Sequence, residues 1–213
     1  MEELLYNSND MVRVGCGDCE GCHDCCKGMG ESILLDPYDI YLLTLNLNYS
    51  FEMLLQKYIE LVVVSGVILP HIKMQEKFDR CGFLNKEGRC SIHAFRPGLC
   101  RLFPLGRNYM EDKLQYFLLQ DACISTNRTK MKVKKWLAVE DYKKYEAFLL
   151  AWHTLRKKLQ EILADDESEE ADRQRKRINM EMLKLFYQMP YERQGDFYEQ
   201  FDARMKEFLV QTI

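Results

Sequence analysis

Five thiols crowd into the eleven residues from Cys16 to Cys26, in the pattern Cys16-x2-Cys19-x2-Cys22-x2-Cys25-Cys26. Two-residue spacers let successive sulfurs turn toward a common ion at about 2.3 Å. Gly15, Gly17 and Gly21 argue against a continuous helix here, and they expose backbone N–H groups that can donate to anionic sulfur. Adjacent side chains on extended backbone diverge, so Cys25 and Cys26 can serve two sites.

The chain has nine cysteines in all. The other four, Cys81, Cys90, Cys100 and Cys123, are distant in sequence and have to be brought in by folding. The order Cys81, apolar pair, Asn85-Lys86-Glu87-Gly88, Cys90 suits a tight hairpin with a sulfur near each base. Arg96-Pro97-Gly98-Leu99 carries proline and glycine at the central positions of a type II turn, which would aim Cys100. Lys27, Arg80, Arg89, Arg96, Arg101 and Arg107 flank the thiols, and nearby cations lower thiol pKa values and balance a thiolate cluster.

An odd cysteine count leaves one sulfur over in any all-disulfide scheme. Met1-Glu2-Glu3-Leu4 lacks the basic start and apolar stretch of a secretory signal, so a cytoplasmic setting is expected. Thiols stay reduced there and are better read as metal ligands or redox groups. The run Leu61–Leu69 falls well short of the ~20 apolar residues of a membrane span. A formal net charge of -3 gives no long-range attraction to nucleic acid or an anionic membrane, so neither is an expected partner.

None of the cysteines follows Cys123, which divides the chain into a cysteine-cluster metal-binding domain, 1–129, and a helical C-terminal region, 130–213. Asp36-Pro37 starts a helix running to about Leu45, and Ser50 caps a second. Leu61-Val62-Val63-Val64-Ser65-Gly66-Val67-Ile68-Leu69 reads as two β-branched runs about a Ser-Gly turn. Tyr116–Leu119 is a further strand. Tyr145, Phe148, Leu149, Trp152, Leu155, Leu159 and Ile162 share one face of a long amphipathic helix. The acidic run Asp165–Glu170 breaks it. Ile178, Met182, Leu185, Phe186 and Met189 form a second stripe, and Phe197, Phe201, Met205 and Phe208 a third. The expected class is α+β, a small cysteine-rich core with short helices and hairpins followed by mainly α-helical chain.

Cys19-x2-Cys22-x2-Cys25-Cys26, then Cys81-Gly82-Phe83-Leu84, Cys90-Ser91-Ile92-His93, Arg96-Pro97-x2-Cys100-Arg101 and Phe103-Pro104, resemble the YkgJ-like cysteine-cluster family over residues 16–123. The family's domain is described as zinc- or iron-chelating, and flagellin lysine N-methylases carry a related one. The resemblance implies Cys19, Cys22, Cys25, Cys26, Cys81, Cys90 and Cys100 as metal ligands, with Cys123 as an eighth. Cys16 precedes the family's run, and His93 stands where an aromatic residue is expected.

Cys19-x2-Cys22-x2-Cys25 matches the start of the bacterial ferredoxin run, without its later x3-Cys-Pro. Eight cysteines also suffice for two four-ligand zinc sites. Close thiol packing and the absence of a two-knuckle zinc ribbon favour an iron-sulfur cluster over zinc. Three roles stay open: electron transfer or support of an enzyme, protein modification such as lysine N-methylation, and a structural zinc module presenting its C-terminal helices to a protein partner. No catalytic residue is assigned, and no glycine-rich phosphate loop or S-adenosylmethionine site is visible. His23 reads as a surface or supporting residue, and His71, His93 and His153 as non-ligands. Lys130-Met131-Lys132-Val133-Lys134-Lys135-Trp136 reads as a solvated helix start rather than a phosphate contact.

Overall fold

The computed structural model of the protein describes residues 4–15, 22–120, 122–123, 128–163 and 168–212. The chain forms two compact units, each built from two separated stretches: residues 1–33 with 74–150, and residues 34–73 with 151–213. Helices and small antiparallel sheets make up both, so the class is α+β as the patterning predicts.

In the first unit, strands β1 (Leu5–Tyr6), β7 (Leu105–Tyr109) and β8 (Leu114–Leu118) form a three-stranded sheet with β8 in the middle. Strand β2 (Met11–Gly15) pairs with β9 (Thr129–Lys132), and β5 (Met74–Gln75) pairs with β6 (Arg80–Cys81). Helix α3 (Gly98–Leu102) and helix α4 (Val133–Leu137) are single turns. Val12, Val14, Leu102, Leu105, Tyr116, Val133 and Leu137 are buried there, because alternate strand positions and the inward side of each turn share one interior. Trp136 fixes α4 by donating its indole N–H to the Leu102 carbonyl at 3.2 Å. Tyr116 and Tyr142 hydroxyls meet at 2.8 Å, and Glu146 accepts from Tyr142 at 3.1 Å and from the Leu114 N–H at 3.2 Å.

Two expectations fail in this unit. Gly98 is the first residue of α3, with Pro97 as its cap at φ -54, ψ 154, so Arg96–Leu99 is not a type II turn. Proline fits the position before a helix, and no left-handed glycine is needed. Lys130–Lys132 belong to β9, since pairing with β2 overrides a helical reading of a lysine-rich stretch. The helix begins only at Val133.

The second unit is closer to its sequence pattern. Helix α1 (Pro37–Leu47) opens with a reciprocal capping box, Asp39 N–H to Asp36 Oδ1 at 2.9 Å and Asp36 N–H to Asp39 Oδ2 at 3.1 Å. Ser50 caps α2 (Phe51–Lys57). Strands β3 (Ile59–Val64) and β4 (Val67–Ile72) form the hairpin about Ser65-Gly66, whose φ values of 49° and 81° are those of a primed turn. Asn179 clamps this hairpin by accepting from the Ile68 N–H at 2.7 Å and donating to the Gly66 carbonyl at 2.9 Å.

Helix α5 (Tyr142–Leu163) supplies residues to both units, the division falling after Leu150. Helix α6 (Glu169–Leu183), capped by Ser168, runs into a π-helical turn, Lys184–Gln188. The expected acidic break lies partly outside the described residues. Helix α7 (Phe197–Thr212) carries the third apolar stripe. Trp152, Phe186, Phe201 and Phe208 pack as rings 5.2–6.3 Å apart. Arg204 is buried over the Tyr191 ring and donates to the carbonyls of Leu185, Met189 and Pro190 at 2.7–2.8 Å. Among the described residues no helix is long and apolar enough to cross a membrane.

Candidate metal centre

The Asp24–Cys26 segment is one 3-10 turn, closed by Cys26 N–H to the His23 carbonyl at 3.0 Å. The chain then turns at Gly28, with φ 65°, and its N–H donates to the Asp79 carbonyl at 2.9 Å. A bridge between Lys27 and Arg80 continues this contact. Lys27 and Gly28 are thereby tied to the approach of β6, which puts Cys26 beside Cys81.

The segment from Cys81 to Cys90 is the tight loop its sequence suggests. Leu84 and Cys90 form a bridge, and Asn85 N–H donates to the Arg89 carbonyl at 2.9 Å. Gly88, with φ 72°, supplies the left-handed turn that a side chain would strain. The same device then occurs at both ends. Cys81 sulfur accepts from the backbone N–H of Phe83, and Cys90 sulfur from that of Ile92. Phe83 and Ile92 are buried, so each apolar side chain pins the N–H that faces the sulfur two residues before it. Such donors stabilise negative sulfur and set its direction. The repeated Cys-x-apolar spacing was the signal in the sequence for these donors, and sequence reasoning missed it.

Cys100 lies in α3 and not on a turn. It is reached through the 3-10 turn His93–Phe95 and the Arg96-Pro97 link. Cys25, Cys26, Cys81, Cys90 and Cys100 are close enough that charge on one alters the ionisation of others. The Cys26 thiol donates to Cys25 sulfur, which brings Cys25 down to about 7 and drives Cys26 up. Burial pushes Cys81 up to about 11 and raises Cys90.

Of the six flanking cations, Arg96 is the one whose charge lowers both Cys25 and Cys90. Arg96 donates to Nε2 of His93, so this histidine orients the counter-charge. Arg101 instead donates to backbone carbonyls, Arg80 to Gln75 at 3.1 Å, and Arg107 to Tyr145 at 2.9 Å. His71 and His153 belong to the second unit.

The seven cysteines among the described residues are half-buried thiols outside any disulfide. Cys16 and Cys19 lie outside the described residues. Among the described residues no group of three or more His, Cys, Asp or Glu side chains is arranged to hold a metal ion as it stands. The donor chemistry nonetheless fits a thiophilic metal: five reduced sulfurs from three stretches, backbone donors at two of them and a cation beside two. An apolar cavity of about 350 Å³ adjoins the group, its wall including Cys25, Cys100, Met29, Leu99, Phe103 and Leu105.

Comparison with protein families gives a match to the CxxCxxCC family, "Putative zinc- or iron-chelating domain", over residues 18–136. No curated protein and no solved structure matches the chain. The match covers more than half of the sequence, and the chain belongs to the CxxCxxCC family of zinc- or iron-chelating domains.

Proposed function

We propose that this domain holds an iron-sulfur centre on Cys19, Cys22, Cys25, Cys26, Cys81, Cys90, Cys100 and Cys123, with Cys16 as a dispensable neighbour, and that it serves electron transfer or supports an enzyme. The carrying observation is the number of thiols within mutual electrostatic reach. Cys25, Cys26, Cys81, Cys90 and Cys100 already supply more thiols than the four that one cluster or one zinc ion takes. An iron-sulfur cluster would likewise be held by cysteine thiolates, and backbone N–H donors like those of Phe83 and Ile92 at Cys81 and Cys90 would tune its potential. In this reading residues 1–129 carry the metal and the helices of 130–213 dock a partner protein. The setting is cytoplasmic, where free thiols persist.

Binding would exchange the S–H···S contact between Cys25 and Cys26 for bonds to metal, with loss of the Cys26 proton. Purification without air, followed by iron, sulfide and zinc analysis and visible absorption, tests the proposal. A brown protein containing iron and acid-labile sulfide is expected. A colourless protein with stoichiometric zinc, folded and redox-silent, would leave the structural zinc module in its place.

The cavity beside Cys25 and Cys100 favours one further reading, in which the centre works on a small molecule in an enzyme. Protein modification of the lysine-methylating kind is one such activity. Saturable binding of S-adenosylmethionine by calorimetry is its expected sign, and the lack of any binding heat would remove it.

A further inference from the structure

On the first unit, a second pocket of about 480 Å³ is lined by Arg96, Arg101, Lys135, His93, Met131 and Trp136 among others, and no carboxylate of the described residues is in its wall. Three side chains that carry positive charge at neutral pH therefore converge on one concavity. Two of them are held in place. Arg96 is oriented by His93. Arg101 is fixed by the carbonyls of Ala138 at 3.2 Å and Arg96 at 3.3 Å, which leaves further N–H groups of its planar fork for a ligand. Lys135 is the exposed member, on the last turn of α4. The segment before Trp136 thus contributes Met131 and Lys135 to this concavity, because β9 and α4 bring it against the Arg96–Arg101 stretch.

We propose that this pocket binds a small organic phosphate. A planar guanidinium fork and an ammonium match the charge and oxygen geometry of a phosphate dianion. The volume lies in the range of small-molecule sites and exceeds what an inorganic anion fills. Met131, Ala94 and Ala138 supply apolar wall for the organic part. Trp136, only 6% exposed, is a wall and not a stacking platform, which argues for a compact ligand over a nucleic-acid strand. The proposal is independent of which metal the cysteines hold.

Calorimetry on the full, metal-loaded chain at low ionic strength tests it, with phenyl phosphate, inorganic phosphate, benzoate and phenol as probes. Phenyl phosphate is expected to bind at one site, more tightly than inorganic phosphate or benzoate, with no heat from phenol. Lys135→Gln should weaken it about tenfold, the scale of one charge-assisted hydrogen bond. Lys134→Gln, one residue away and outside the pocket, should leave it unchanged. Absence of saturable phenyl phosphate binding overturns the proposal. So does equal weakening in the two lysine variants, or an equal lack of effect, since either means general charge attraction or a phosphate on the metal. Benzoate binding as tightly as phenyl phosphate overturns the phosphate assignment.

Discussion

In the second unit Trp152, Phe186, Phe201 and Phe208 meet ring against ring, and the polar groups buried with them, Arg204 and Asn179, have carbonyl or amide partners at hydrogen-bond distance. In the first unit Cys25, Cys81 and Cys100 sit on elements of two to five residues and Cys90 on a single bridge, and the thiols are half-buried. Apolar burial accounts for order in the one. In the other, elements this short have too few ladder or helix bonds to offset the entropy of fixing them. The thiol-bearing part of the first unit is where bound metal has the most stability to add.

Removing the metal is therefore the largest perturbation available. For structural zinc the coupled free energy is on the order of 10 kcal/mol. Amide hydrogen exchange after treatment with a strong chelator should speed up greatly across residues 81–100, while amides at 182–186 and 201–208 keep their protection. Loss of protection in both sets together would erase the distinction between the units.

A single ligand should reproduce part of that loss. Cys100→Ser and Cys22→Ser are expected to lower metal content and stability together, by several kcal/mol, with Cys16→Ser doing much less. Metal analysis beside denaturant unfolding measures both. Full metal loading in the first two variants would remove them from the ligand set.

How far each unit could be read in advance follows the same division. The helix start at Asp36-Pro37, the hairpin at Ser65-Gly66 and the stripes on α5, α6 and α7 are local patterns whose side chains specify their own conformation. β9 is different: Lys130 and Lys132 become strand only because β2, more than a hundred residues earlier, pairs with them. Among the site residues, the tight loop between Cys81 and Cys90 was visible in its spacing. The choice of Arg96 from six nearby cations was not, since it depends on His93 and on where Arg101 and Arg107 find other partners. Type II geometry at Pro97-Gly98 was a reasonable local reading that helix α3 displaced.

The opposite variant sharpens the contrast from the other side. Arg204→Met keeps the volume but removes the donor to the buried Leu185 carbonyl and to the part-buried carbonyls of Met189 and Pro190. A loss of about 3 kcal/mol in chemical denaturation is expected, because hydrogen bonds to a charged group are among the stronger ones. Arg204→Lys should recover only part of it, lacking the fork. Metal content should not change in either variant, and a drop would tie the helical core to the cysteine site.

Alkaline pH gives the smallest effect and separates the units by where it begins. Burial raises Cys81 to about 11 and also raises Cys90, so the metal-free fold favours the protonated thiols. Their contribution is complete below the ordinary thiol range near pH 8.5 and is lost as pH climbs toward 11. In the second unit Tyr187, fully buried and raised far above its usual value, has the same sign, but its loss starts only beyond about pH 10. Metal reverses the first trend. It binds thiolate, so loading expels the protons of Cys81 and Cys90, and apparent affinity must rise with pH where the metal-free fold weakens. Calorimetry of metal binding in buffers of different ionisation enthalpy counts those protons. Release of protons near pH 7.5, falling as pH rises, is the expected result, and binding without proton release would mean that these two sulfurs are not ligands.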